Sequence, residues 1–276
     1  MNNIDLKRIA KMIDHTELKA SSGKKKILNL CNEAKMFGFF SVCVNPAYVD
    51  FSKEQLAESE VLVCSVVGFP LGMNTSLIKA QEAELAVKQG AEEIDMVINV
   101  GAVRDKRYDF VLNDIKQLVA ASKPSRVKVI LETCYLTDEQ IIDACKICVD
   151  AGAHFVKTST GFGAFGAFPH HVKLMRDTVG PDIGVKASGG ISNFKDAIRM
   201  INAGANRLGT SAGVMILEGA KLYKYAPDAW LEPEIPCHIC PSRYATLGKL
   251  PKAMYTYYKK KCLECQYRDL YNRFYE

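Results

Sequence analysis

The stretch Thr137-Asp138-Glu139-Gln140-Ile141-Ile142-Asp143-Ala144-Cys145-Lys146-Ile147-Cys148-Val149-Asp150-Ala151-Gly152-Ala153-His154-Phe155-Val156-Lys157-Thr158 decides how this chain folds, because it holds one complete unit of the architecture. Thr137 and Gln140 have the spacing of a capping box, which opens a helix over Asp138–Asp150. Ile141, Cys145, Cys148 and Val149 fall on one stripe of that helix, so the Cys145-x-x-Cys148 pair reads as buried packing and not as a redox or metal motif. Gly152 supplies the left-handed conformation that stops the helix, and the β-rich run His154–Thr158 follows at once.

The same order recurs outward from this unit. Glycines end helices and lead into strands at Gly38, Gly90-Ala91, Gly152-Ala153 and Gly204-Ala205, at separations of 52, 62 and 52 residues, about two βα units each. Strands are expected at Met12–Thr16, Phe39–Val44, Val61–Gly68, Glu93–Val100, Val127–Glu132, His154–Thr158, Ile183–Ala187 and Asn206–Gly209. Between them lie helical patterns over Lys24–Phe37, Thr75–Gln89, Asp109–Ser122, Asp138–Asp150, His170–Thr178, Phe194–Asn202 and Ala212–Ala220. Alternating strands and helices imply parallel βαβ units, and eight of them close into a (β/α)8 TIM barrel spanning residues 1–221.

Composition agrees. The chain has 276 residues, 48% hydrophobic and 24% charged, the balance of an ordinary globular enzyme. No apolar run reaches the roughly 18 residues of a membrane span, and the N-terminus lacks a signal-peptide layout, so a cytoplasmic protein without a membrane partner is expected. Of ten cysteines, Cys31, Cys43, Cys64, Cys134, Cys145 and Cys148 lie in apolar segments and read as core residues.

Active residues in such a barrel come from the C-terminal ends of strands. Those ends carry Asp14-His15-Thr16, Cys43-Val44-Asn45-Pro46, Asp95, Glu132-Thr133, Lys157, Lys186 and Gly209-Thr210-Ser211. Lys157 and Lys186 stand on consecutive strands, each followed by small hydroxylated residues and glycine. Two ammonium groups brought together repel, which frees one neutral amine for attack on a carbonyl: Schiff-base chemistry. Spacing alone does not say which lysine attacks. Asp95, inside the apolar run Ile94–Ile98, needs a cationic partner, and the lysines supply one. An inert ion-pair network is the bland alternative, but it does not require glycines and hydroxyls beside each lysine. Gly189-Gly190-Ile191-Ser192 and Gly209-Thr210-Ser211-Ala212-Gly213 read as helix-opening loops after strands 7 and 8, where barrels place a phosphate. His170 and His171 follow Pro169 at a helix start and are expected to be exposed or to cap it; His15 is expected to pack.

Lys-Thr-Ser-Thr-Gly at 157–161, Gly-Val-Lys-Ala-Ser-Gly-Gly at 184–190, Glu-Ile-Asp-Met-Val at 93–97, Asp-His-Thr at 14–16 and Val-Cys-Val-Asn-Pro at 42–46 together resemble the deoxyribose-phosphate aldolase family over roughly residues 5–220. The resemblance implies a class I aldolase that needs no cofactor for catalysis. It would cleave 2-deoxy-D-ribose 5-phosphate reversibly to D-glyceraldehyde 3-phosphate and acetaldehyde, a step of nucleoside catabolism. It assigns Lys157 to the Schiff base, Lys186 to lowering its pKa and Asp95 to proton relay, with Asp14 and Thr160 at substrate hydroxyls or water. Relaying protons as base and then acid asks for an Asp95 pKa moved toward neutrality. Gly189, Gly190, Gly209, Thr210 and Ser211 would anchor the phosphate. The stretch Phe162–His171 departs from the family pattern in being more aromatic.

After Ala220 the composition shifts, with Pro227, Pro233, Pro236 and Pro241 and the lone Trp230, which reads as a linker over 222–236. The tail 237–276 carries Cys237-x-x-Cys240 and Cys262-x-x-Cys265 with 21 residues between the pairs. That is near four-cysteine zinc spacing and predicts a small zinc-ribbon-like module held by a structural Zn²⁺. Eight basic against three acidic residues in the tail account for the whole net charge of +5. Its tyrosines and lysines could stack on and neutralise nucleic acid, but packing on the barrel or on a second copy in a homo-oligomer is the favoured reading. Two other functions stay open from the residues alone: a Schiff-base aldolase of a different sugar phosphate, and a non-catalytic scaffold whose zinc tail binds nucleic acid or protein.

Overall fold

A computed structural model describes residues 5–225. The cysteines at 237, 240, 262 and 265 and the expected zinc module lie outside the described residues. Eight parallel strands, β1 (Ile13–Glu17), β2 (Ser41–Val44), β3 (Leu62–Val67), β4 (Glu93–Val97), β5 (Arg126–Ile130), β6 (Phe155–Lys157), β7 (Gly184–Ser188) and β8 (Arg207–Thr210), pair in chain order, and β8 returns to β1 to close the barrel. Around them run α1 (Leu6–Ala10), α2 (Lys24–Phe37), α3 (Val49–Gln55), α4 (Ser76–Lys88), α5 (Val100–Arg104), α6 (Tyr108–Ala121), α7 (Asp138–Asp150), α8 (Pro169–Val179), α9 (Phe194–Asn202) and α10 (Gly213–Tyr225).

The founding unit forms as read: Thr137 and Gln140 make both bonds of the capping box on α7. Its buried stripe is Ile141, Ala144, Cys145 and Cys148, however, and Val149 is turned outward. Burial raises the Cys145 thiol to about 12, and Cys148 is likewise pushed up by burial. Three short helices were not anticipated. The run expected as strand to Val100 stops at Val97, because the Asn99 side chain accepts the Ala102 N–H and caps α5. At the far end α10 continues to Tyr225, into the stretch read as linker.

Alternate residues of each strand face the helix layer and the barrel interior. Outward, Val42, Val63, Ile94, Met96, Val127, Val129, Val156, Val185 and Leu208 join the helices in one large core. The interior has two unlike walls. On the β2–β3 side Cys43, Cys64 and Val66 pack with Leu18 and Phe69, while the remaining strands send charged side chains inward. Glycine makes room for interior side chains at two places. A Cβ on Gly184 would fall 2.0 Å from the Phe155 ring, and one on Gly209 would fall 2.9 Å from Lys186 Cε.

Candidate active site

Lys157 and Lys186 are register partners on β6 and β7, so the two lysines noted in the sequence stand side by side. Both ammonium groups lie 2.8 Å from one oxygen, Asp95 Oδ2. The other oxygen of Asp95 takes Lys128 Nζ at 2.9 Å and the Cys64 thiol at 3.2 Å. Lys186 also meets Asp14 Oδ2 at 2.5 Å, and Arg207 bridges Asp14 and Glu93 at 2.9 and 3.0 Å. Lys128 reaches Glu93 at 2.6 Å. Four cations thus surround three carboxylates.

These contacts set the charges. Burial would raise the Asp95 carboxyl, but Lys128, Lys157 and Lys186 outweigh it and hold Asp95 well below the usual carboxylate range. The expected drift of Asp95 toward neutrality is therefore corrected: it is a fixed anion. Asp14 is depressed in the same way, burial being overcome by Lys186, Lys128 and Arg207. Lys186 is pushed upward: Asp14 and Asp95 together outweigh its desolvation, so it is a permanent cation. Lys128 is raised likewise, burial being outweighed by Asp95 and its other anionic neighbours.

Above this network opens a pocket of ≈ 320 Å³, of the size that holds a small ligand. Lys157 forms part of its lining, with Thr160, Ser188, Gly189, Gly190, Gly209, Thr210 and Ser211. Asp95 and Asp14 are wholly buried and absent from that lining; Asp14, read as a holder of substrate hydroxyls, is engaged by Lys186 and Arg207 instead. Thr160 is fixed by Glu132, whose carboxylate accepts both its hydroxyl and its N–H. Burial raises the Glu132 carboxyl against those bonds. Both glycine loops lead into helices, but the named glycines stand before the helices' first turns. Asn193 caps α9, which begins at Phe194, and α10 begins at Gly213, so Gly189, Gly190 and Gly209–Ser211 are loop and strand-end residues. Thr210 ties the two loops, donating to Ile191 O at 2.6 Å.

His15 packs on Phe39 and reaches Glu33 at 2.6 Å. His170 is exposed and pairs with Asp138 at 2.8 Å, as anticipated for a helix start. His171 is not: it is fully buried, and burial drives its pKa to about 3. Sequence reading missed Glu93, Lys128 and Arg207, although each is a charge inside a β-rich run, the signal that singled out Asp95. It also missed Glu17, Leu18 and Lys19 in the pocket wall, where Thr16, one of the strand-end candidates, does stand.

A family model described as DeoC/LacD family aldolase matches residues 8–219. The chain is 58% identical over 216 residues to the deoxyribose-phosphate aldolase of Carboxydothermus hydrogenoformans, covering 77% of this chain and 95% of that one. It is 54% identical over 217 residues to that of Thermococcus gammatolerans, with coverage of 77% and 96%. Among solved structures, the tetrameric deoxyribose phosphate aldolase of Aeropyrum pernix superimposes with a TM-score of 0.75 at 33% identity, covering 79% of this chain and 92% of that one. Barrel, lysine pair and sequence match over the same residues agree, and the chain belongs to the DeoC/LacD family of aldolases.

Proposed function

We propose that this pocket cleaves 2-deoxy-D-ribose 5-phosphate reversibly to D-glyceraldehyde 3-phosphate and acetaldehyde, with Lys157 as the Schiff-base residue. The observation that carries the assignment is the shared oxygen, Asp95 Oδ2, together with the pocket. The two lysines differ in how they are held. Lys186 meets two carboxylates and is sealed from the pocket lining; Lys157 meets one and lines the pocket. Lys157 is accordingly the amine assigned to attack on the sugar.

Attack of Lys157 on C1 of the open-chain sugar, with loss of water, gives an iminium. Removal of the C3 hydroxyl proton breaks the C2–C3 bond, and the bonding electrons pass into the iminium as an enamine. Glyceraldehyde 3-phosphate leaves. Protonation of the enamine carbon and hydrolysis release acetaldehyde and restore the amine. Asp95, a fixed anion, stabilises the iminium, and water in the pocket carries the proton from the C3 hydroxyl to the enamine carbon. Thr160 orients a substrate hydroxyl. Gly189, Gly190, Gly209, Thr210 and Ser211 hold the phosphate.

Borohydride reduction in the presence of acetaldehyde, followed by peptide mapping, tests the assignment. The adduct is expected on Lys157, and Lys157→Ala is expected to abolish turnover; an adduct on Lys186, or none, overturns it. An assay for acetaldehyde separates this substrate from other sugar phosphates.

Further parts of the reading rest on sequence or on relatives. Cys237, Cys240, Cys262 and Cys265 are proposed to hold a structural Zn²⁺ in the tail 237–276, on the strength of their spacing; one equivalent of zinc in the purified chain, lost on mutating Cys240, is the expected result. A cytoplasmic homo-oligomer is proposed from the tetramer of the Aeropyrum pernix relative and from exposed Leu71, Met73 and Leu77 on the β3–α4 side. No described helix is long and apolar enough to cross a membrane.

A further inference from the structure

We propose that the loop between β6 and α8 is a clamp that aims the Gly190 amide into the pocket and so sets the preference for a phosphorylated sugar. The idea rests on the phosphate subsite of the reading above. The loop is anchored by two buried rings, Phe165 and Phe168, in edge contact at 4.7 Å, with His171 buried beside them. From that anchor Ala167 N–H donates to Gly189 O at 3.0 Å.

A peptide bond is planar and trans, so the carbonyl of Gly189 and the N–H of Gly190 point in opposite directions. Gly189 and Gly190 line the pocket, whereas Gly166 and Ala167 do not. Drawing the carbonyl away toward Ala167 therefore turns the Gly190 N–H toward the pocket, where an anion would meet it. Unclamped, the same peptide is free to rotate and present its carbonyl, which repels phosphate.

The clamp needs backbone to touch backbone. A Cβ on Gly166 would fall 2.1 Å from Gly189 O and 2.2 Å from its carbonyl carbon; one on Gly189 would fall 2.9 Å from Gly166 Cα and 3.4 Å from Gly161 Cα. These neighbours are main-chain atoms and cannot swing aside. Gly161, Gly166 and Gly189 thus meet at one point, and neither Gly166 nor its neighbour Ala167 lines the pocket. They are positioning residues.

The test is Gly166→Ala in the full chain, read with two sugars and with inorganic phosphate as a competitive inhibitor. Losing one amide hydrogen bond to an anion corresponds to about tenfold or more in affinity. KM for 2-deoxyribose 5-phosphate and Ki for phosphate should both rise by that factor, with kcat and the cleavage of unphosphorylated 2-deoxyribose unchanged. Equal losses on both sugars, or an unchanged phosphate Ki, overturn the clamp. Should Gly166→Ala fail to fold, Phe165→Leu, which loosens the anchor, should move KM and Ki in the same direction by a smaller factor, and no such shift again overturns it. Phosphate binding followed by titration calorimetry, which needs no turnover, separates this outcome from a failure of the aldolase reading.

Discussion

Lys157 and Lys186, register partners on neighbouring strands, share a single acceptor, Asp95 Oδ2, at 2.8 Å each. The sharing couples them: whichever lysine reacts, the other stays as its charged neighbour. Lys186→Met removes a buried cation and leaves Asp14 and Asp95 each short of one partner beside the reacting lysine. Turnover is expected to fall by about 10²-fold or more. Steady-state assay checks this, with borohydride trapping showing whether imine formation is the step lost.

Asp95→Asn withdraws the anion that three lysines share. Breaking a buried ion network by removing one partner costs about 3–5 kcal/mol, because the remaining charges are left uncompensated. Denaturant unfolding should show a loss of that order alongside lost activity. Unchanged stability would mean that Glu93 and Asp14 compensate.

Far from the chemistry, Lys79 on α4 is fully buried and bonds Asp114 on α6 at 2.7 Å and the Val97 carbonyl at 3.0 Å. Lys79→Met should destabilise by about 3–5 kcal/mol, while Lys79→Met with Asp114→Leu should recover much of it, since an apolar pair of similar size carries no desolvation penalty. Chemical denaturation of the two variants decides.

Stability should fall with acid in two stages. His171, with its pKa lowered by burial from 6.5 to about 3, stays neutral when folded but takes a proton when unfolded. Its penalty is therefore absent above the unfolded value and grows as pH falls toward the folded one, approaching about 1.4 kcal/mol per pH unit. Asp14 and Asp95 behave differently: their folded values are depressed, so the stability they add is full above about 3.8 and is lost only as pH drops through the folded values. His171→Leu should flatten the stability curve between about pH 6 and 4 and leave the steeper loss at lower pH. An unchanged slope in that window would argue against a buried neutral imidazole.

The fold was legible because local signals agreed. The Thr137 capping box and the helix-ending glycines, Gly38 at φ 66° and Gly152 at φ 80° among them, fix where elements stop, and alternation of strand and helix leaves little choice of topology. Short helices such as Val49–Gln55 escaped because one or two turns make a weak periodic signal. At the site, Lys157, Lys186 and Asp95 were visible as charges in apolar runs. The network around Asp95 was not, since Lys128, Glu93 and Arg207 converge on it from three strands and register alone brings them together. His171 shows the same limit: a histidine after proline looks solvated until the rings of Phe165 and Phe168 close over it.

The missing side chain at Gly209 has an effect on timing. A lysine in solution carries roughly 2 kcal/mol of rotamer entropy in its stem; here the Lys186 stem lies against Gly209 of the neighbouring strand, where a Cβ would fall 2.9 Å from its Cε. The disorder is removed once, when the chain folds, and not again at each turnover. The cation beside the reacting amine is thus already standing where it acts before any sugar enters.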